Sequence, residues 1–225
     1  MALIVNMIGR NEEARYLETV LTHVKEYADK IIFTDDDSTD QTAQIAINIG
    51  AHVQLIKPSM FCVDESALRQ QAWNFMETYA KEGDWILDLD CDEILYGINS
   101  LPTLLQQKQY SVIQIMFYHM WNATEYRIDK AWRPSIQPRL FRFVRGGQFP
   151  NKKLACGSTP KYVLEWARKG SALTANNLRI QHLGYQNDID KKMKYDRYME
   201  LDGGRYHSLQ HLKSILDESP ELVRW

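Results

Sequence analysis

Short apolar runs alternate with helical patterns along the first 95 residues of the chain. The apolar runs predict four strands, at residues 3–8, 30–34, 52–56 and 85–89. Between them, apolar residues recur at spacings of three and four, which predicts three helices. Strands that alternate with such helices are typical of an α/β fold with a mostly parallel central sheet and helices on both faces. Ligands of these sheets bind beyond the carboxyl ends of the strands, so we expect the site there.

Capping residues predict where the second and third helices begin and end. Ser38 and Gln41 have the spacing of a capping box, so we expect the second helix to open there. Gly50 is a natural stop for the same helix, because glycine tolerates the left-handed backbone that follows a helix. Asp64 or Ser66 can cap the third helix.

The second half of the chain has a different pattern. Further strands are predicted at residues 112–117, 140–144 and 177–183, and helices at 188–201 and 208–216. Residues 118–142 are rich in aromatic side chains and arginine. Because no repeat, low-complexity segment or linker interrupts the sequence, we expect a single domain over residues 1–225 that ends in a C-terminal helical segment, 186–225.

The amino-acid composition argues against several classes of protein. Of the 225 residues 44% are hydrophobic, which is enough for a large core, and the net charge of −2 lacks the basic excess of a nucleic-acid binder. Three cysteines without a C-x-x-C spacing argue against a disulfide framework or a structural zinc site. No apolar run approaches the roughly 20 residues of a membrane span, and the N-terminus predicts a strand rather than a signal peptide. We therefore expect a soluble protein of a reducing compartment, with peripheral membrane docking left open.

Residues 88–93 hold four carboxylates directly after the predicted strand at 85–89. If the segment is extended, Asp90 and Asp92 point to the same face, because side chains two apart in a strand do so. Carboxylate oxygens in such a place suit Mg²⁺ or Mn²⁺. A solvated acidic loop explains the run equally well.

A second acidic cluster, residues 35–40, follows the second predicted strand. It is not an EF-hand loop, because Asp40 stands where that loop needs glycine and Ala46 where it needs glutamate. Helix capping accounts for Ser38 and in part for Asp40, but not for three consecutive acids before the cap. A carboxylate at a strand end can instead accept a hydrogen bond from a nucleobase or a ribose hydroxyl.

Four segments in order resemble the family 2 glycosyltransferases of the GT-A fold. They are Asn11-Glu12-Glu13, the acidic run through residues 34–40, Arg69 within residues 65–70, and the strand with its acidic end at 85–93. The likeness covers residues 1–95. Further on, Pro138-Arg139-Leu140-Phe141-Arg142 and His182-Leu183-Gly184-Tyr185 resemble bacterial-type members of the same family.

The resemblance implies an inverting transferase that uses a nucleotide-diphosphate sugar, with a UDP-sugar favoured, and a divalent metal, Mn²⁺ or Mg²⁺. It implies a GT-A fold with a nucleotide-sugar-binding half at residues 1–95 and an acceptor-side half at 96–185. The acceptor would be a glycan or a lipid-linked molecule of bacterial-type surface glycan assembly. The place would be the cytoplasm, with the inner membrane face left open.

By the same resemblance, individual residues receive roles. Asp36 would contact the base, Arg69 would lie near the base and diphosphate, Asp90 would hold the ribose or the metal, Asp92 and His182 would bind the metal, and Gly9 and Arg10 would line the nucleotide pocket. From the residues themselves, Lys194 and Arg197 are neighbours on one face of the predicted helix at 188–201. Their charge would stabilise a leaving diphosphate, although a solvated surface face is the alternative.

Inversion needs a base that takes the proton of the acceptor hydroxyl. Members of the family often place an acid after the Leu-Phe-Arg strand, but residues 154–160 of this chain hold no carboxylate. Asp129, Glu125 and Glu165 are candidates, and we favour Asp129 because it lies in the segment rich in aromatic side chains. Its alternative role is that of a salt-bridge partner of a nearby arginine.

Three questions stay open at this point. Asp88 and Asp90 at a strand end are compatible with an aspartate-nucleophile phosphohydrolase, but the threonine-bearing turn of such enzymes is absent. The missing acid at 154–160 is compatible with a non-catalytic relative that binds a nucleotide or a glycan. An aromatic cluster stacks on a sugar or packs in the core: Phe117, Tyr118, His119, Trp121, Tyr126 and Trp132.

Overall fold

The computed structural model describes residues 1–225 and contains ten strands and seven α-helices. The strands are β1 (Leu3–Gly9), β2 (Lys30–Asp36), β3 (His52–Ile56), β4 (Trp85–Asp88), β5 (Glu93–Tyr96), β6 (Val112–His119), β7 (Glu125–Arg127), β8 (Ser135–Arg142), β9 (Ala172–His182) and β10 (Leu222–Arg224). The helices are α1 (Leu17–Val24), α2 (Thr42–Ile49), α3 (Glu65–Glu77), α4 (Leu101–Leu105), α5 (Lys161–Arg168), α6 (Asp188–Leu201) and α7 (Leu209–Lys213).

Eight strands form one sheet in the order β3-β2-β1-β4-β8-β6-β9-β5. Strands β1 to β4 are parallel to one another, as is the β6–β9 pair, whereas β8 runs antiparallel to both of its neighbours and β5 antiparallel to β9. The prediction of a mostly parallel sheet in an α/β fold is confirmed. A separate two-stranded sheet pairs β10 with β7.

Helices cover both faces of the sheet, as predicted. Along β1, Leu3 and Val5 pack into a core of 23 buried residues that includes the apolar face of α1. Ile4 points the other way, into a core of 12 residues with Trp73 of α3 and Val163 of α5. The alternation of side chains along one strand therefore separates two layers of core.

Two of the predicted helix boundaries are confirmed and one is wrong. Asp64 caps α3 by accepting from the backbone N–H of Ala67 at 2.9 Å, and Gly50 ends α2 with a left-handed φ of 100°. The predicted capping box does not form, because α2 begins at Thr42 without a side-chain cap. The hydroxyl of Ser38 instead accepts from the backbone N–H of Asn11 at 3.0 Å, and so joins the ends of two strands.

The acidic run is not an extended strand, which corrects the argument that Asp90 and Asp92 share a strand face. The strand β4 ends at Asp88, a turn follows, and β5 begins at Glu93. The sequence pattern missed β5, which lies opposite the end of β9 and pairs Glu93 with His182. This pairing holds the acidic turn between β4 and β5 next to His182.

The C-terminal helices pack against one another beside the main sheet. The bounds of α6 are those predicted, while α7 stops at Lys213 and continues as a single 3₁₀ turn. These elements share a small aromatic core, formed by Trp121, Trp132, Tyr185 and Ile215. No helix combines the length and the apolar character required to cross a bilayer.

Candidate active site

A cavity of about 650 Å³ opens at the carboxyl ends of β1, β2 and β4. It brings together nine residues proposed from the sequence: Gly9, Arg10, Asp36, Arg69, Asp90, Asp92, His182, Lys194 and Arg197. They come from six separate segments of the chain. The expectation that the site lies beyond the strand ends agrees with this arrangement.

Asp92 and His182 lie side by side in the wall of the cavity. The carboxylate Oδ2 of Asp92 is 3.4 Å from Nε2 of His182, and both residues are buried. The β5–β9 pairing fixes them, because the backbone N–H of Leu183 donates to the carbonyl of Asp92 at 2.8 Å. The two side chains proposed as metal ligands therefore meet.

The side chain of Lys194, on α6, contacts both Asp92 and His182. Its ammonium Nζ lies 2.9 Å from Oδ2 of Asp92 and 3.1 Å from Nε2 of His182. Burial raises the pKa of Asp92, but the charge of Lys194 and the contact with His182 outweigh it and hold that pKa well below its usual range. Burial and the same ammonium lower the pKa of His182, so its imidazole is neutral.

The neighbouring contacts fix the tautomer of His182. An ammonium has only donors, so Nε2 of His182 must accept from Lys194, and its proton must sit on Nδ1. Nδ1 lies 3.0 Å from Nδ1 of His119, which then accepts. This tautomer leaves the lone pair of Nε2 directed at the site, as a metal-binding histidine requires.

The Asp92–His182 pair fits a divalent cation in its donor chemistry. Neighbouring ligand atoms of an octahedral cation with bonds of about 2.1 Å are about 3 Å apart, close to the 3.4 Å found between these two atoms. No third histidine, cysteine or carboxylate completes the set. Asp92 and His182 are thus the two protein ligands that lie together, and the others would come from phosphate oxygens, water or Asp90 of the same turn.

Asp36 is buried at the end of β2 and is already engaged by the protein. Its carboxylate accepts from the hydroxyl of Ser59 at 2.7 Å and from the backbone N–H groups of Met60 and Phe61 at 2.7 and 3.1 Å. It therefore holds the loop before α3 against the rim of the cavity, where Phe61 also lies.

The partly exposed Arg69 and the buried Glu65 form an ion pair on one face of α3. Nε of Arg69 donates to Glu65 at 2.9 Å, and Glu65 also accepts from the backbone N–H of Cys156 at 3.1 Å. Glu65 is thus hydrogen-bonded to the segment at residues 154–160, which has no carboxylate of its own. Glu65 carries no signal in the sequence, because a single acid in the first turn of a helix is ordinary.

The structure also adds cations and acids that sequence reasoning missed. Arg139 of β8 is buried at the cavity floor, pairs with Glu93 and lies 3.9 Å from Asp90. Burial raises the pKa of Glu93 to about 8 against the opposing charge of Arg139. Arg139 belongs to the Pro-Arg-Leu-Phe-Arg segment, and this motif is the sequence feature that could have identified it.

A further cation–acid pair stands at the opposite rim. Arg15 donates to Glu12 at 3.1 Å and lies 3.9 Å from Asp92. Burial raises the pKa of Glu12 to about 7, although Arg15 opposes the shift. The Asn-Glu-Glu segment at the end of β1 therefore contributes directly to the electrostatics of the site.

Asp129 does not line the cavity, and neither do Glu125 and Glu165. Asp129 pairs with the guanidinium of Arg127, which is fully buried, and hydrogen bonds from Arg127 lower the pKa of Asp129. Asp129 therefore has the alternative role given above, that of a salt-bridge partner of a nearby arginine. A proton acceptor needs access to the acceptor hydroxyl, which this position does not give.

The family model of glycosyl transferase family 2 matches residues 5–160, which span β1 to the residue before α5. The chain belongs to this glycosyltransferase family. The matched range includes Asp36, Arg69 and the acidic turn, but neither His182 nor the helix that carries Lys194.

The curated relatives are longer than this chain. A glycosyltransferase of Rickettsia bellii is 40% identical over 150 residues, which are 66% of this chain and 46% of the relative. One from Rickettsia felis is 36% identical over 150 residues, which are 66% and 47% of the two chains. The chain thus spans about half the length of the curated relatives it matches.

Among solved structures, a mannosyltransferase from Pyrobaculum calidifontis, in complex with GDP-mannose and Mn²⁺, superposes with a TM-score of 0.55. The match covers 98% of this chain and 66% of the other, at 14% identity. At that identity the likeness concerns the fold, and the predicted GT-A fold is confirmed.

Proposed function

We propose that this glycosyltransferase moves a sugar from a nucleotide-diphosphate donor, with a UDP-sugar favoured, to a hydroxyl of a glycan or lipid-linked acceptor, with inversion. The observation that carries the proposal is the cavity, which is lined by the acidic turn and by six cationic side chains: Arg10, Arg15, Arg69, Arg139, Lys194 and Arg197. A volume of about 650 Å³ lies within the range of small-molecule sites.

Positive charge in the cavity supports a diphosphate as the leaving group. As the glycosidic bond breaks, the diphosphate gains negative charge, which prearranged cations stabilise. Arg197 is suited to this, because its buried Nε has no hydrogen-bond partner in the protein. Its guanidinium lies 5.4 Å from the ring of Phe61 and 5.1 Å from that of Tyr198, which hold it over the cavity.

Asp92 and His182 are the proposed metal ligands, for Mn²⁺ or Mg²⁺. A divalent cation bound there would act as a Lewis acid on the departing diphosphate. Asp90, whose side chain is 47% exposed, is the more accessible acid of the turn and is proposed for the ribose or the metal. The neutral His182 and ionised Asp92 are the protonation states that ligation requires.

The nucleotide is proposed to bind along β1, β2 and α3. Gly9 supports this, because a Cβ there would meet Sγ of Cys91 and the ring of Phe33 at 2.7 Å each, so the backbone of β1 can approach the turn closely. Asp36, through the loop it holds, and Arg69 are proposed to line the base and the diphosphate.

The cellular setting is proposed by family analogy. We place the reaction in the cytoplasm or at the inner face of the membrane, within bacterial-type surface glycan assembly. The helix α6 exposes Ile189 by 75% and Met193 by 53%, and these side chains support peripheral contact with a lipid surface.

A non-catalytic relative that binds nucleotide or glycan is the second candidate. One observation favours it: residues 154–160 carry no carboxylate, and Asp129 lies outside the cavity. Donor hydrolysis distinguishes the two candidates, because a binding protein leaves the sugar nucleotide intact.

The first experiment is thermal unfolding against UDP-, GDP-, CMP- and dTDP-sugars, each with and without Mn²⁺. A ligand that binds the native state raises stability by RT ln(1 + [L]/Kd), or about 2.7 kcal/mol at 100-fold excess over Kd. We expect a shift with one nucleotide class, followed by release of the nucleotide diphosphate in an activity assay. A flat response to all four classes would refute the donor site.

A further inference from the structure

The ammonium of Lys194 occupies the place where a divalent cation would bind. It is hydrogen-bonded to the two side chains proposed as metal ligands, at 2.9 Å from Asp92 and 3.1 Å from His182. Lys194 is 8% exposed although it lies on an otherwise polar helix. A lysine is rarely buried without a partner, so these two contacts define its position.

The surrounding backbone is shaped for this ammonium. A Cβ at Gly184 would lie 1.9 Å from Nζ of Lys194 and 2.2 Å from Oδ2 of Asp92, so only glycine admits the contact. The ring of Tyr185 lies 4.6 Å from Nζ and adds a cation–π contact. Both residues belong to the His-Leu-Gly-Tyr segment that the sequence analysis singled out.

Lysine and metal cannot use His182 at the same time. A neutral imidazole has one acceptor nitrogen, and in His182 this nitrogen, Nε2, already accepts a hydrogen bond from the ammonium. Oδ2 of Asp92 is the oxygen that both cations would take. Repulsion between a divalent cation and an ammonium at this spacing adds to the exclusion.

We propose that Lys194 is a resident cation that competes with the divalent metal for Asp92 and His182, so that metal binds only after the ammonium has left. The inference rests on the proposed metal site. The displaced ammonium remains tethered to α6, whose next turn carries Arg197, so its charge stays beside the cavity proposed for the diphosphate. The helix thereby couples occupation of the metal site to the cationic lining of the cavity.

The test is a Mn²⁺ titration of the purified protein, followed by the electron paramagnetic resonance signal of free Mn²⁺ and by calorimetry. We expect Lys194→Met, which keeps the length of the apolar stem, to bind Mn²⁺ about 10-fold or more tightly than the original protein, because the metal no longer has to displace an ammonium; 10-fold equals about 1.4 kcal/mol. Lys192→Met is the matched control, since Lys192 lies on the same helix but pairs with the exposed Asp196. It should leave Mn²⁺ affinity unchanged.

The outcome that overturns the inference is a Lys194→Met protein that binds Mn²⁺ no more tightly than the original. Circular dichroism checks that the variant is folded, and Lys194→Gln replaces it if it is not. Adding Asp92→Asn to Lys194→Met should abolish the gain, which ties the gain to this site. Persistence of the gain would place the competing metal elsewhere and overturn the inference.

A parallel titration with UDP and GDP in EDTA separates this inference from the proposed function. Nucleotide binding without a gain in Mn²⁺ affinity for Lys194→Met would refute the competition and leave the donor site standing. A gain in Mn²⁺ affinity in a protein that binds neither nucleotide, with or without Mn²⁺, would support the competition and refute the proposed function.

Discussion

Asp92 and Lys194 are 102 positions apart, yet they form a buried ion pair of 2.9 Å in the wall of the cavity. The aspartate comes from the turn between β4 and β5, and the lysine from α6. This contact joins the half of the protein that carries the acidic clusters to the C-terminal helices. It also changes what substitution of Asp92 is expected to do.

We predict that Asp92→Asn reduces metal-dependent turnover on the order of 100-fold, because a charged group that faces the leaving diphosphate or its metal is lost. The sequence alone suggests that neutralising one of four clustered acids leaves the fold intact. The ion pair indicates instead a loss of stability of about 3 kcal/mol, because a buried ammonium loses its partner.

Chemical denaturation and donor turnover measure the two effects of Asp92→Asn. Asp196→Asn is the matched control, because it breaks an exposed pair with Lys192 on α6 and should cost less than about 1 kcal/mol. Near-normal turnover of Asp92→Asn with a verified donor would remove Asp92 from the site.

Arg69→Ala is expected to weaken donor binding and raise the donor KM about 10-fold, which equals about 1.4 kcal/mol, with a smaller effect on kcat. Arg69 lines the cavity from α3 and is held there by Glu65. Steady-state kinetics with varied donor measures the change. Arg145→Ala, at an exposed arginine, should leave the donor KM unchanged; equal values for both variants would exclude Arg69 from the donor site.

Glu12 is predicted to make stability depend on pH between about 4.5 and 7. Because burial raises its pKa in the folded protein, the neutral form is favoured on folding. This stability is fully present below pH 4.5 and is lost as the pH rises through about 7. The loss has an upper bound of about 3 kcal/mol.

Unfolding free energies of the original protein and Glu12→Gln, measured from pH 4 to 8, provide the test. The variant should gain stability relative to the original protein across the window, and Glu93, which titrates higher, is common to both and cancels in the difference. A difference that does not vary with pH would mean that Glu12 titrates at its ordinary pKa.

Asp129→Asn distinguishes a catalytic base from a structural ion pair. Because Asp129 shares the fully buried Arg127 with Asp217 outside the cavity, we expect a loss of stability of about 1–2 kcal/mol and a kcat within about threefold of normal. Denaturation and turnover at a temperature where the variant is folded measure the two. A kcat lower by about 1,000-fold at full stability would restore Asp129 as the base.

Local pattern determined much of the fold. The strand at His52–Ile56 and the helix at Asp188–Leu201 have the predicted bounds, because the periodicity of apolar side chains and the capping residues act over a few positions. The position of acids at strand ends, together with the family motifs, also predicted a site at the carboxyl ends of the strands, where the cavity lies. These signals depend only on neighbours in the sequence.

The tertiary structure determined which charged side chains pair with one another. The sequence marked Asp92, His182 and Lys194 separately, but not that the lysine fills the point between the other two, because that depends on the pairing of β5 with β9 and the docking of α6. In the same way, Asp129 is bound by a buried arginine and Asp36 by the loop before α3. Electrostatic partners are selected by distance in space, and a linear pattern does not carry that distance.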